Sequence, residues 1–250
     1  MMGLPEKLVD RLKELGITEP TPIQSHAIPI ALDGGDVMGL AQTGSGKTAA
    51  FGLPLVTQML AINSMPAPKS ARGLVLAPTR ELAKQISDTL TQLVQKTPLK
   101  VALVVGGASI NMQIKRLQRG TDLLVATPGR LIDLLDRRAL SLADTSFLVL
   151  DEADQMLDLG FIHALRRIAS VLPAQRQTML FSATMPKQMN ELAQSYLNNP
   201  KRVEVNPPGE AVARNVHSVH FFAKSEKTSL FSDLLDKHRE ELALVFGRTK

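Results

Sequence analysis

The feature that most limits what this chain can become is a short apolar run that ends in a glycine-rich turn and reopens as an apolar helix pattern. Val37-Met38-Gly39-Leu40 has the length of a buried strand. Ala41-Gln42-Thr43-Gly44-Ser45-Gly46-Lys47-Thr48 follows, and then Ala49, Ala50, Phe51, Leu53, Leu55, Val56, Met59 and Leu60 suit a buried helix. The rest of the chain repeats this alternation. Strands are expected at Gly73–Ala77, Val101–Val105, Leu123–Ala126, Phe147–Leu150 and Thr178–Phe181, and helical spacing at Glu81–Val94, Ile110–Leu117, Leu131–Leu135 and Ile162–Val171. Such alternation predicts an α/β fold, a mostly parallel sheet with helices on both faces and right-handed crossovers.

Upstream, Pro5 to Leu15 reads as an amphipathic helix with Leu8, Leu12 and Leu15 on one face. Thr21-Pro22 starts a second helix, Thr as N-cap and Pro at the first helical position. Asn63–Arg72, with Pro66, Pro68 and Ser70, reads as a loop, and no internal repeat at a solenoid period is present. Asn206-Pro207-Pro208-Gly209-Glu210 marks a domain end. Beyond it Val216–Ala223 and Leu242–Phe246 read as strands and Lys227–His238 as a helix.

The glycine-rich turn has the chemistry of a phosphate cradle. Gly44 and Gly46 let the backbone turn its N–H groups toward oxyanions, and the helix behind adds its positive dipole end. Lys47 would reach the β- and γ-phosphates and the Thr48 hydroxyl would ligate Mg²⁺. The common pattern has Gly where this chain has Ala41. A second segment completes the chemistry. Phe147-Leu148-Val149-Leu150 reads as a strand covered on both faces, and Asp151 and Glu152 stand at its carboxyl end, where open parallel sheets bind ligands. Asp151 would hold the metal, an oxygen-seeking hard cation, and Glu152 would orient or deprotonate the attacking water. Together the two segments read as a nucleoside triphosphatase.

Composition narrows this little further. The 250 residues carry a net charge of +5, which mildly favours a polyanionic partner. The absence of Cys excludes disulfides and thiolate metal sites. No apolar run approaches the ~20 residues of a membrane span and the N-terminus has no signal-peptide core, so a cytoplasmic protein is expected. His217-Ser218-Val219-His220 is not read as a metal site, because strand positions three apart face opposite sides.

These segments resemble those of the DEAD-box RNA helicases, over nearly the whole chain and in that family's order. Asp151-Glu152-Ala153-Asp154 spells the family's signature. Gly16 to Gln24 resembles the Q motif, in a stretch of about residues 1–25, Pro78-Thr79-Arg80-Glu81-Leu82 motif Ia, and Gly106-Gly107 the glycine pair. Thr127-Pro128-Gly129-Arg130 resembles motif Ib, Ser182-Ala183-Thr184 motif III, and Leu244-Val245-Phe246-Gly247-Arg248-Thr249 the start of motif IV. The wording is closest to bacterial members of the RhlE type. The resemblance implies a RecA-like ATP-binding domain over residues 1–207, then a linker and the first elements of an incomplete second RecA-like domain over 208–250.

By the same resemblance, ATP and Mg²⁺ are expected ligands and RNA the partner, in an enzyme that unwinds short duplexes by ATP-driven domain closure. Gln24 would pair with adenine, and Ile17 would give it apolar contact. Many family members stack an aromatic near that position, so modest nucleotide affinity is expected here. Thr79, Arg80, Gly107, Thr127 and Arg130 would grip RNA phosphates and sugars with little sequence preference. Ser182 and Thr184 would hydrogen-bond toward Asp154 and link nucleotide state to RNA grip. The family's Arg-Gly-x-Asp and His-Arg-x-Gly-Arg-x-Gly-Arg segments, which supply an arginine finger, do not occur in this chain, so it is expected to bind nucleotide but hardly hydrolyse it. Another P-loop ATPase such as a DNA translocase, and a non-catalytic RNA-binding scaffold, are the competing readings.

Overall fold

In a computed structural model, which describes residues 3–62, 64–205, 218–243 and 245, the chain divides into two compact units, Met1–Gly209 and Glu210–Lys250. The first unit opens with α1 (Glu6–Glu14) and α2 (Pro22–Leu32). Strands and helices then alternate: β1 (Val37–Leu40), α3 (Lys47–Ala61), β2 (Ala71–Leu76), α4 (Arg80–Leu93), β3 (Val101–Val104), α5 (Ile110–Leu117) and β4 (Thr121–Ala126). They continue through α6 (Pro128–Asp136), β5 (Phe147–Leu150), α7 (Ala153–Asp158), α8 (Ile162–Val171), β6 (Gln177–Ser182), α9 (Lys187–Tyr196) and β7 (Lys201–Glu204).

All strand pairs are parallel, in the order β3-β4-β2-β5-β6-β1-β7. Alternation along each strand divides the interior into two layers. Phe147 and Val149 face a core built with α1, α2, α3 and α4, while Leu148 and Leu150 face one built with α5 to α9. Covering both faces makes β2, β4, β5 and β6 buried along their whole length, hence the apolar runs Leu74–Leu76, Leu123–Ala126, Phe147–Leu150 and Met179–Phe181 within them. Gly39 of β1 is needed for the packing: a Cβ there would lie 2.5 Å from the Phe181 ring on β6. Among the described residues no helix is long and apolar enough to cross a membrane.

Several elements differ from expectation. β2 starts at Ala71, so the 63–72 loop is shorter; Arg72 enters the strand because its buried guanidinium pairs with Asp122 at 3.0 Å. α7, α9 and β7 were not expected. β7 (KRVE) turns only Val203 inward, so it has no apolar run to read; it is held by pairing to β1, and the chain before it by the buried Asp36, whose carboxylate accepts from Thr178 N–H at 2.7 Å and Asn198 N–H at 2.6 Å.

In the second unit, a 3₁₀ turn (Lys224–Glu226) leads into α10 (Lys227–Lys237), which agrees with the helix expected there. Of the two expected strands, the described residues 218–223 and 242, 243 and 245 are irregular, while 216, 217, 244 and 246 lie outside the described residues. A strand is stable only when paired, and no other strand is described in this unit to pair with.

Candidate functional site

The strand registers align the carboxyl ends of the sheet along one edge. Leu40 lies beside Ser182, Leu180 beside Leu150, Leu150 beside Leu76, and Ala126 between Leu76 and Val104. Six of the sequence motifs lie at or just beyond the carboxyl ends of these strands. The edge therefore has two halves: β1, β6 and β5 carry the glycine-rich turn, Ser182–Thr184 and Asp151–Asp154, whereas β2, β4 and β3 carry Thr79–Arg80, Thr127–Arg130 and Gly106–Gly107.

In the first half the turn runs from Ala41 to the start of α3. Gly44 (φ 82°) and Gly46 (φ 92°) are left-handed. A side chain at Gly46 would also collide with α2, its Cβ 2.5 Å from Gln24 Nε2 and 2.8 Å from Thr21 Oγ1. The N–H groups of Gly46, Lys47, Thr48 and Ala49 have no backbone acceptor, the arrangement a helix start offers to an anion. Gln24 is buried against this turn: Nε2 donates to the Gly46 carbonyl and Oε1 accepts from Thr21 N–H, both at 3.0 Å. One Oε1 lone pair and one Nε2 hydrogen remain for a ligand. Thr21 Oγ1 and Ser45 Oγ are buried without a partner, Gln42 and Thr43 are exposed, and Ile17 is 40% exposed on the turn after α1.

Lys47 and Asp151 face each other in the floor, both almost fully buried. Lys47 Nζ donates to the Ala41 carbonyl at 3.2 Å and stands 4.0 Å from Asp151 Oδ1, at the limit of an ion pair. Burial pushes the Asp151 carboxyl up to about 6 against the pull of Lys47, with Glu152 adding to the rise. This carboxylate has too little positive charge around it. Glu152 holds a left-handed backbone (φ 52°) as N-cap of α7, and its carboxylate accepts from Thr43 Oγ1 at 3.1 Å, closing the turn onto the acidic pair. Among the described residues no cluster of three His, Asp or Glu gathers, so a cation here would rest on few protein donors and on a ligand's own oxygens.

Asp154 links α7 to the end of β6. Its Oδ2 accepts from Ala183 N–H (3.2 Å), Thr184 N–H (2.9 Å) and Thr184 Oγ1 (2.9 Å). The Ser182 expectation is corrected: its buried hydroxyl donates to the Thr184 carbonyl at 2.7 Å, and the Ala183 amide faces Asp154 instead. The strand ends at Ser182, so it is the turn backbone after it that reaches the carboxylate.

The second half is a cleft of about 600 Å³ whose lining includes Thr79, Arg80, Thr127, Arg130, Asp133 and Phe161. Thr79 caps α4, its Oγ1 accepting from Leu82 N–H at 3.2 Å, and Thr127 stands at the N-cap of α6. The Arg80 guanidinium lies against the Gly106–Gly107 turn; a Cβ at Gly107 (φ 78°) would be 1.9 Å from Nη1. Arg130 Nη1 donates to the Ala108 carbonyl at 2.9 Å, and its Nε is buried without a hydrogen-bond partner, 3.7 Å from Asp133. Sequence reading did not name Asp133 or Phe161. Asp133 was within reach as the residue one helical turn after Arg130, while Phe161 is delivered by the chain beyond α7 and has no local signal.

A model of the DEAD/DEAH box helicase family matches residues 21–192. The chain is 42% identical to an ATP-dependent RNA helicase CshA of Listeria monocytogenes across 99% of its own length and 47% of that protein. Among solved structures it superposes on a hypothetical ATP-dependent RNA helicase from Sulfolobus tokodaii with a TM-score of 0.73 and 35% identity, over 81% of this chain and 57% of that one. The chain thus spans about half the length of the curated relative it matches.

Proposed function

The chain belongs to the DEAD/DEAH box helicase family, and we propose that it is the nucleotide-binding half of an ATP-dependent RNA helicase. Residues 1–207 form its N-terminal RecA-like domain, and 208–250 are a linker with the first elements of a second. One observation carries the reading: a buried Lys47–Asp151 pair under a glycine-rich turn shares a sheet edge with a cleft lined by two arginines.

ATP lies with its phosphates on the open N–H groups at the start of α3 and with Lys47 on the outer phosphates. Thr48 and Asp151 would hold Mg²⁺, since the buried carboxylate of Asp151 suits a hard divalent cation. When bound, the metal neutralises phosphate charge. Glu152 orients the attacking water and takes up its proton. The remaining donor and acceptor of Gln24 fit the N6/N7 edge of adenine and not the O6 of guanine, which selects ATP over GTP. Ile17 adds apolar contact.

Thr79, Arg80, Gly107, Thr127 and Arg130 hold the RNA backbone, with hydroxyls and guanidinium forks that read no base. Asp154, with Ala183 and Thr184, joins the nucleotide side to the chain that reaches Phe161 in the cleft. The full-length protein closes its two domains on ATP and RNA, strains one strand and so separates short duplexes. This chain carries no arginine finger, whose contribution in related phosphate chemistry is ~10³–10⁵ in rate, so it binds nucleotide and hardly turns it over.

Titration with ADP and Mg²⁺ by calorimetry, with GDP as control, tests the reading. Binding of ADP but not GDP, lost in Lys47→Ala and Gln24→Ala, is expected. No ADP binding at millimolar concentration, or equal binding of GDP, would overturn it.

A further inference from the structure

The turn between β3 and α5 does more than leave room for a polyanion. Residues 105–108 are contacted by three side chains from three helices. From α5, Gln113 Nε2 donates to the Val105 carbonyl at 3.0 Å. From α4, the Arg80 guanidinium lies flat on Gly106 and Gly107, whose missing Cβ atoms would sit 3.3 Å and 1.9 Å from its nitrogens. From α6, Arg130 Nη1 donates to the Ala108 carbonyl at 2.9 Å. Arg80 has no acidic partner among the described residues; Arg130 has one on its own helix, Asp133, an ion pair at 3.7 Å from Nε. The turn is the common surface on which both guanidinium groups rest.

Gln113 is a buried polar side chain that holds the start of this turn. It is 5% exposed, and its Oε1 has no partner. A position serving only to fill the interior would take Leu or Met at no such cost, since a buried acceptor left open is unfavourable. Here one amide arm is spent on Val105 and the other is left unpaired.

We propose that Gln113 is a positioning residue for RNA-backbone binding, acting through the 105–108 turn to set the Arg80 and Arg130 guanidinium groups at the spacing a phosphate chain requires. The inference rests on the RNA reading of the cleft. Gln113 touches no RNA; without it the turn can move on its two glycines and the arginines lose their shared support.

The test uses the whole 250-residue chain, a short fluorescein-labelled oligouridylate and anisotropy at several salt concentrations. Gln113→Met keeps the volume and removes the hydrogen bond; Gln113→Leu also removes it while filling the interior with an apolar side chain that cannot donate to Val105. Both are expected to weaken RNA binding about five- to tenfold and to flatten the salt dependence by up to one phosphate contact, a slope change of ~0.7. ADP affinity and Tm stay unchanged. In an Arg80→Ala/Arg130→Ala background, Gln113→Met adds less than about twofold, because the groups it acts through are gone.

An equal further loss in that background overturns the proposal, as does unaltered RNA binding by both Gln113 variants. A parallel fall in RNA affinity, ADP affinity and Tm assigns Gln113 a structural role and also overturns it. Failure of the RNA reading itself looks different: the Arg80→Ala/Arg130→Ala protein then binds RNA as well as the parent chain does.

Discussion

The two halves of the sheet edge are built on opposite plans. Around Lys47 the floor is dry, with Lys47, Asp151 and Gln24 buried, and neighbours at hydrogen-bond distance hold Lys47 (by Ala41), Gln24 (by Gly46 and Thr21) and, at the exposed mouth, Glu152 (by Thr43). Around Arg80 the groups are wetter, and two guanidinium ions rest on backbone. A buried site holds a compact ligand in one pose, where misplacement by an ångström is costly. An open basic cleft tolerates a chain of repeating phosphates in many registers. One sheet edge thus offers a place for a discrete ligand beside a track for an extended one.

Five substitutions would sharpen or break that contrast. Lys47→Ala removes the buried cation proposed to neutralise phosphate and the one cation paired with Asp151 among the described residues; ADP affinity is expected to fall about a hundredfold, the scale of two charge-assisted hydrogen bonds, with RNA affinity unchanged. If the oligouridylate is lost as well, the halves are not separate. Gly46→Ala combines a left-handed backbone with a collision at Gln24, so a loss of about 1–3 kcal/mol in unfolding free energy is expected from denaturant titration, together with at least tenfold weaker ADP binding.

Smaller effects belong to the open half. Arg80→Ala and Arg130→Ala should each weaken oligouridylate binding a few-fold and lower the salt slope by ~0.7, the single-strand increment for one phosphate contact. A loss of a hundredfold from one of them would mean that the cleft is as fixed as the phosphate floor. The smallest effect lies at α1, where Lys96 and Arg11 hold the Glu14 carboxyl below its usual value. A depressed carboxyl stabilises the fold above its ordinary value near 4.5 and loses that contribution as pH falls through the lower folded value. The Tm of Glu14→Gln is therefore expected slightly below the parent at neutral pH, converging on it only as pH falls below 4.5 and through the lower folded value. A difference that persists at lower pH removes the ion pairs as its cause.

Periodicity made the buried part of this fold legible. Phe147–Leu150 and Ile162–Val171 run as their patterns indicate because burial on two faces or one face leaves a period in the residues. β7 was illegible because an edge strand with one inward side chain has no period, and six-residue α7 lies inside the acidic motif that hides it. The strands expected beyond residue 210 carried apolar residues and lacked partners, and pairing is not written in a strand's own sequence. At the site, residue types announced the phosphate turn and the acidic pair. The support of Arg80 and Arg130 by a turn more than twenty residues from either in sequence could emerge only in three dimensions.

Glu152 carries a further consequence. Its left-handed backbone is one that glycine or asparagine adopts more readily, and forcing it on a longer side chain costs of order 1 kcal/mol or more. The residue proposed to orient the attacking water is thus also one the fold would trade away. Propagated under selection for heat resistance alone, such a sequence would drift toward Gly or Asn at 152, gaining melting temperature while going silent as a hydrolase. Thermal robustness and turnover therefore pull this position in opposite directions, and a stabilised library needs an activity screen beside it.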